Sequence, residues 1–527
     1  MTDVRILSEP LGGSPLSLSI QRGDAPAAWC IAPPCTITEW KDWAATRLAE
    51  RDWSKQLAAL APAFAATGLA AEKLQRVIRD GGVVVTTGQQ PGLFGGPVYT
   101  WSKAIGALAF ADALERETGI PTAAVFWAAT DDADYAEAAH TTLARTGGAE
   151  EIRTETTVPA GTPMSLTPLG DVSRQLALLA DATGSASDPR PLAAVQGAYS
   201  NASCTVGDAY VALLRDLLAP LGMPVLDASH PAVRAASEST LRAALDQAVS
   251  VEAALTQRTR ALREGGFDPQ VEDVAGLSLV FVREGTVKRR VSIAEAKTLA
   301  PDAWLTPNVL LRAVVERQIL PTVAYLGGPG ELAYFAQVSA VAQALDVAAP
   351  VALPRWSCTL IEPHIARLLT AFGIEPDALA TPDALEGKVA RSAMSEPSRG
   401  ALESVRRAIQ SLPPTLAPES DPLGLNAAMQ GAMQSMLHRL DRMERRLVAG
   451  IKRREITALR DVATLRAALY PHGIRQERTL NLTTTLARHG LDLLQEMRMA
   501  AGAHASALIN PTSVHGEKSA TAAPAAR

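Results

Sequence analysis

The chain has 527 residues, with 50 basic against 55 acidic side chains and a formal net charge of −5. Without a basic excess to neutralise a phosphate backbone, nucleic acid is excluded as a natural partner. Hydrophobic residues make up 47% and aromatics only 4%, a soluble composition with no apolar run of the roughly 18 to 20 residues that a membrane span needs.

The length predicts several folding units rather than one core. The N-terminal stretch MTDVRILSEPLGG has no basic segment followed by an apolar core, so no signal peptide is expected. Cys30, Cys35, Cys204 and Cys358 are too scattered for a disulfide framework, and CIAPPC has the wrong spacing for a C-x-x-C site. Reduced thiols and a cytoplasmic location are the expectation.

In chain order, GGVVVTTG (81–88), TAAVFWAATDD (122–132), MPVLDAS (223–229) and TVAYLGGPG (322–330) read as strands. Amphipathic stretches such as SKAIGALAFADALERE (102–117) and TVGDAYVALLRDLLAPLG (205–222) lie between them. The alternation predicts an α/β fold with a mostly parallel sheet covered on both faces. Ligands in such sheets bind outside the carboxyl ends of the strands, and each of these runs carries glycines or acidic residues at that end.

The predicted core spans 1–385, with insertions near 150–204 and 266–293, the latter a hairpin turning at Arg283-Glu284-Gly285. Proline, serine and charge accumulate over 386–424, read as a linker with short helices. A helical coiled-coil region is expected over 425–510 and a disordered tail over 511–527. Met429, Met433, Met436, Leu440, Met443 and Leu447 alternate spacings of four and three, a heptad seam. After Gly450 an apolar series resumes at Ile451, Ile456, Leu459, Val462, Leu465 and Leu469, and Pro471 ends it. The pattern predicts a helix about 60 to 70 Å long at 1.5 Å per residue. It needs a partner, either a neighbouring helix or a second chain.

Three strand ends carry the chemical candidates. After the first strand come Thr87, Gly88, Gln89, Gln90, Gly92, Gly95 and Gly96. They fit neither the dinucleotide fingerprint nor the P-loop. Strand, glycine-rich turn and helix nevertheless form a common anion cradle; a bare turn that binds nothing would use the same glycines. The cluster Asp131, Asp132, Asp134, Glu137 and His140 reads either as a metal or amine site or as the acidic first turn of a helix. Gly327, Gly328 and Gly330 precede Glu331 and Tyr334 at a third strand end, with Asn308 and Arg312 upstream. Arg312 could clamp a carboxylate or phosphate. The remaining histidines show no ligand spacing, so no metal centre is expected.

Three segments together, TTGQQPGLFGGPVYTWSKAIGA (86–107), VFWAATDDADYAEAAH (125–140) and LRAVVERQILPTVAYLGGPGELAYFAQ (311–337), resemble the BshC family, named as the cysteine ligases of bacillithiol biosynthesis. VALPRWSCTLIEP (351–363) and IRQERTLNLTTTLARHGLDLL (474–494) are similar to further family segments in the expected order. The resemblance implies a Rossmann-like core with connecting-peptide insertions, related in architecture to class I aminoacyl-tRNA synthetases, and a C-terminal coiled coil that makes a homodimer. It implies a reaction joining L-cysteine to the amine of glucosaminyl-malate. It also implies a histidine in the acidic motif, where this chain has Ala133. Asp131, Asp132 and Asp134 are the expected catalytic carboxylates, binding an ammonium or a magnesium ion. The energy source is open, with ATP and magnesium one route. The alternatives are a non-catalytic dimeric paralogue that binds a small ligand and an enzyme that adenylates another amino acid.

Overall fold

Short β-branched runs become the centre of the protein because both faces of each are covered. The computed structural model describes residues 2–381 and 384–511, so the tail expected over 511–527 lies, but for Pro511, outside the described residues. Strands β1 (Val83–Gln89), β2 (Thr122–Ala128), β3 (Val225–Asp227), β4 (Thr322–Gly327) and β5 (Ala352–Pro354) form one sheet in the order β5-β4-β1-β2-β3. Every neighbouring pair is parallel. The four strand runs of the sequence analysis are all present; β5, only three residues long, was not among them.

Side chains alternate between two cores with the period of a strand. Val83 and Val85 pack with Trp40, Trp101 and Phe110 on one face, while Val84 joins Val77, Val125 and Leu226 on the other. From β1 the chain adds β2 and β3 on one side, then returns to place β4 on the other side of β1. Connections leaving β1 and β4 therefore diverge, and a crevice opens outside their carboxyl ends.

Helix α1 (Val98–Thr118) follows β1 and is apolar almost all round. It lies between the sheet and the C-terminal helix Asp492–Ile509, so most of its length is buried, with Arg116 and Glu117 exposed in its last turn. Helices α2 (Val309–Ile319) and α3 (Pro329–Ala344) flank β4. The hairpin Leu277–Glu284 with Val287–Ser292 turns at Gly285, whose φ of 62° suits glycine, and Leu305–Pro307 adds a third antiparallel strand.

The chain divides into two units, one comprising Met1–Leu143, Glu151–Glu362 and Glu477–Arg527, the other Ala144–Glu150 and Pro363–Gln476. In the second, two expectations are corrected. The stretch read as a linker with short helices contains α4 (Glu396–Ser420), a 25-residue helix that includes Pro413, Pro414 and Pro418. Packing along α5 (Asn426–Arg454) overrides the local breakers, with Arg406 reaching Asp441 at 2.8 Å and Glu444 at 2.9 Å. The single long helix is instead α5 followed by α6 (Ile456–Leu469), interrupted at Glu455, where ψ is 51°. The seam is split lengthwise: Leu440 is buried, while Met436, Met443 and Leu447 are exposed. Among the described residues no helix is long and apolar enough to cross a membrane.

Glu362, at the end of the strand Cys358–Ile361, accepts hydrogen bonds from Arg488 Nε at 2.7 Å and Thr485 Oγ1 at 3.2 Å, and His489 Nε2 lies at 2.9 Å. Burial opposes its charge, but His489 and Arg488 hold the carboxyl well below the usual carboxylate range. A depressed pKa contributes stability that is present above the unfolded value and lost as the pH falls below it. Glu362→Gln should therefore cost about 1.5–3 kcal/mol at pH 7. The gap to the wild type should close as the pH drops below about 4.3, the ordinary glutamate value, in urea titrations followed by circular dichroism. A gap independent of pH would contradict the assignment.

Candidate functional site

The carboxyl ends of β1 and β4 open on a cavity of about 780 Å³, within the range of small-molecule sites. Gly88, Gln89 and Gln90 line it from β1, Asp131 and Asp132 from the loop after β2, and Gly328, Gly330, Glu331 and Tyr334 from the start of α3. Asn308 and Arg312 line it from α2. Three sequence-distant loops thus converge, as the strand-end rule requires.

Seven predicted residues do not line the cavity, among them His140, whose Nδ1 lies 2.9 Å from the Ala136 carbonyl. Thr87 is buried within β1, its hydroxyl bonded to the Leu326 carbonyl at 2.8 Å. Gly327 ends β4, and its carbonyl accepts the Arg355 N–H at 2.9 Å. Asp134 caps the short helix Tyr135–Ala138, accepting the Glu137 N–H at 3.2 Å. Gly92, Gly95 and Gly96 make a tight turn beside the cavity lining. The N–H groups of Gly95 and Gly96 bond to the carbonyls of Gly92 and Leu93, each at 3.1 Å. Asn481 Nδ2 closes the turn from outside, donating to the Phe94 carbonyl at 3.0 Å. Gly95 has φ 88°, and a Cβ there would lie 2.7 Å from the Trp101 ring, so the conformation and the space both demand glycine.

The residue that joins the loops is Lys103, which the sequence analysis did not single out. Its Nζ donates to the Gly88 carbonyl and to Gln89 Oε1, each at 2.9 Å, and pairs with Glu331 Oε2 at 2.5 Å. Burial pulls the lysine below its ordinary pKa even against the pull of Glu331. Glu331 also accepts the Gly328 N–H at 2.6 Å and the Tyr325 hydroxyl, so it caps α3 from within the pair. Burial works against this carboxylate too, but Lys103 and these donors hold it below the usual range. A lone charge in the apolar helical run WSKAIGALAF was the available signal, because a buried lysine must be paired.

Arg312 is largely buried. Its guanidinium bonds to Tyr334 Oη at 3.0 Å and to Glu316 Oε2 at 3.1 Å. Burial pushes Glu316 up to about 7. Asn308 uses its carbonyl to cap α2, accepting the Leu311 N–H at 2.9 Å. Further cations, Lys288 and Arg290 from the hairpin and Arg478 near the C-terminus, line the same cavity. Arg355 also lines it and is held by Glu477 in a buried bidentate pair, both contacts 2.9 Å.

Of the acidic cluster, Asp132 Oδ1 accepts the N–H of Asp134 at 3.0 Å and that of Ala133, closing its own turn. Asp131 is pushed up by burial against the attraction of Lys288, which donates to the Asp131 carbonyl. Glu137 reaches the cavity, where Gln90 Nε2 and Tyr99 Oη hold its two oxygens. Among the described residues no three His, Cys, Asp or Glu side chains converge to hold a metal ion.

Lys103→Met should leave Glu331 without its cation and destabilise the protein by about 3–5 kcal/mol. Adding Glu331→Gln should recover most of that loss, as measured by urea denaturation. A single variant as stable as the wild type would show that the pair does not hold the loops.

Two family models match the chain: "Bacillithiol biosynthesis BshC, N-terminal Rossmann-like domain" over residues 38–300 and 292–356, and "Bacillithiol biosynthesis BshC, C-terminal coiled-coil domain" over 358–505. Relatives named "Putative cysteine ligase BshC" include one from Solibacter usitatus, 32% identical over 80% of this chain and 82% of its own. Another, from Koribacter versatilis, is 31% identical over 81% and 83%. A third, from Heliobacterium modesticaldum, is 29% identical over 66% and 68%. With Rossmann-like and coiled-coil models both matched in order, and the five-stranded parallel sheet in place, the chain belongs to the BshC family of bacillithiol biosynthesis.

Proposed function

We propose that the chain joins L-cysteine to the amine of glucosaminyl-malate through an amide bond, the last step of bacillithiol synthesis, in the cytoplasm. The observation that carries this reading is the mixed charge of one cavity. Lys288, Arg290, Arg312 and Arg478 suit the carboxylates of both substrates, while Asp131, Asp132 and Glu137 suit an ammonium. The relatives' name supplies the cysteine ligase chemistry, and about 780 Å³ is room for two small polar molecules.

Amide formation from a free carboxylate and an ammonium is uphill in water, so the acyl carboxyl must be activated. ATP with magnesium is the route the reading favours. The N-terminus of the 16-residue helix α3 at Gly330, with Arg355 and Arg478 beside the same cavity, would hold a phosphate group. Asp131 and Asp132 would attract the incoming ammonium. The turn glycines Gly92, Gly95 and Gly96 and the capping Asp134 would act by shaping these loops. One observation favours the binding-only alternative: Ala133 lines the cavity where the family resemblance implies an imidazole.

The second unit carries the proposed self-association. Met436, Met443 and Leu447 leave an exposed apolar stripe on α5 after α4 has covered its share. A second copy of the chain would bury it.

Two measurements test these readings. Mass spectrometry should detect bacillithiol from L-cysteine and glucosaminyl-malate with wild type, and Asp131→Asn should reduce it by about tenfold, a loss near 1.4 kcal/mol in the barrier. Undiminished product from that variant would remove Asp131 from the mechanism. No product from wild type under any condition, together with a gain in Ala133→His, would favour the binding protein. In sedimentation, Met443→Glu with Leu447→Glu should convert a wild-type dimer into monomers, and an unchanged dimer would place the interface elsewhere.

A further inference from the structure

An amide-forming site needs a proton acceptor, because an amine attacks a carbonyl only after its ammonium form has lost a proton. The aspartates of the acidic loop are badly placed for this. Asp132 and Asp134 each use Oδ1 to accept backbone N–H groups of their own turn. Lys288 attracts the Asp131 carboxylate, which opposes its taking up a proton.

Glu137 is different. The turn Tyr135–Ala138 lifts it to the cavity, and each of its oxygens has a separate side-chain donor. Gln90 Nε2 donates to Oε2, and the Tyr99 hydroxyl donates to Oε1 at 3.3 Å. Tyr99 is itself oriented by Gln89 Nε2 at 3.2 Å, and Gln89 Oε1 accepts from Lys103 at 2.9 Å. Lys103 is tied to Glu331. A chain of side chains therefore runs from the buried ion pair to a carboxylate held by two donors at the cavity.

The geometry points to Glu137 as the base that takes the proton from the ammonium of the amine substrate, with Tyr99 and Gln90 as positioning residues. The assignment rests on the amide-forming reading above. In the step, the ammonium gives one proton to Glu137, and the freed nitrogen lone pair attacks the acyl carbon of a mixed carboxylic–phosphoric anhydride. The C–N bond forms and the C–O bond to phosphate breaks, with the phosphate keeping the electron pair. The second nitrogen proton passes to that phosphate, and Glu137 returns its own proton to solvent.

The groups bearing on Glu137 are Asp132, Asp134 and His140 from its own segment and Tyr99 from α1, with Arg478 and Glu331 acting on Tyr99. Burial and the neighbouring Asp134 push Glu137 above the ordinary carboxylate range, and Tyr99 pulls it back. A base is more effective as its pKa approaches the working pH. The rate should fall toward acid as Glu137 takes up its proton. Tyr99→Phe removes a donor that favours the carboxylate, so that limb should move to higher pH.

The test uses the full chain with L-cysteine, ATP and magnesium, and compares two nucleophiles: glucosaminyl-malate, and hydroxylamine, which is already uncharged at neutral pH. Glu137→Gln should slow amide formation by about 10²- to 10⁴-fold and abolish the acidic limb. Hydroxamate formation should be retained, and Glu137→Asp should restore part of the amide rate. Equal losses with both nucleophiles, or no loss with either, would overturn the base assignment and leave the ligase reading standing. No amide from wild type would overturn both.

Discussion

An ammonium in the middle of a helix buried on every side is tolerable only if it is met by a carboxylate and by further acceptors. Lys103 has Glu331 at 2.5 Å, the Gly88 carbonyl and Gln89 Oε1. Those partners belong to β1 and α3, the two elements between which the chain reverses direction across the sheet. Neither loop can move without leaving a charge unpaired in low dielectric. Glu331 meanwhile caps the helix that begins there. The crevice is thus held open by electrostatics at the place where topology makes it.

Around this pair the other loops are held by backbone satisfaction. The turn at 92–96 keeps its N–H groups to itself, and Asn481 binds its carbonyls from the C-terminal segment. Glu477, four residues earlier, holds Arg355 beneath the cavity, and Arg478 lines it. The C-terminal segment is therefore part of the site although nearly four hundred residues separate it from the glycine-rich loop. This explains why chemistry-bearing residues outnumber those visible at the strand ends. The cavity is walled by segments whose local sequence carries no strand-end signature.

The second unit shows the same tension between local and tertiary preference. Prolines that read as breakers are carried inside α4 because α4 has α5 to pack against. The heptad pattern of α5 serves an intramolecular partner at Leu440 and leaves Met443 and Leu447 uncovered. A heptad repeat specifies that an apolar stripe exists; it does not say which partner covers each flank.

Period and composition were enough to determine the parallel sheet and to bring Gln89, Gln90, Glu331 and Arg312 to the crevice at the strand ends, because strand patterning and strand-end position are local properties. The family was legible separately, through the resemblance of the motifs at three of those ends. Period and composition could not separate the glycines that shape a turn from those that face a ligand, since both uses need the same missing Cβ. Nor could they show that Lys103 pairs with Glu331, that Asp134 caps a helix while Glu137 faces the cavity, or that Arg478 enters it. Those facts depend on which side chains meet across long sequence separations, and only the folded packing of the sheet, its helices and the C-terminal segment decides that.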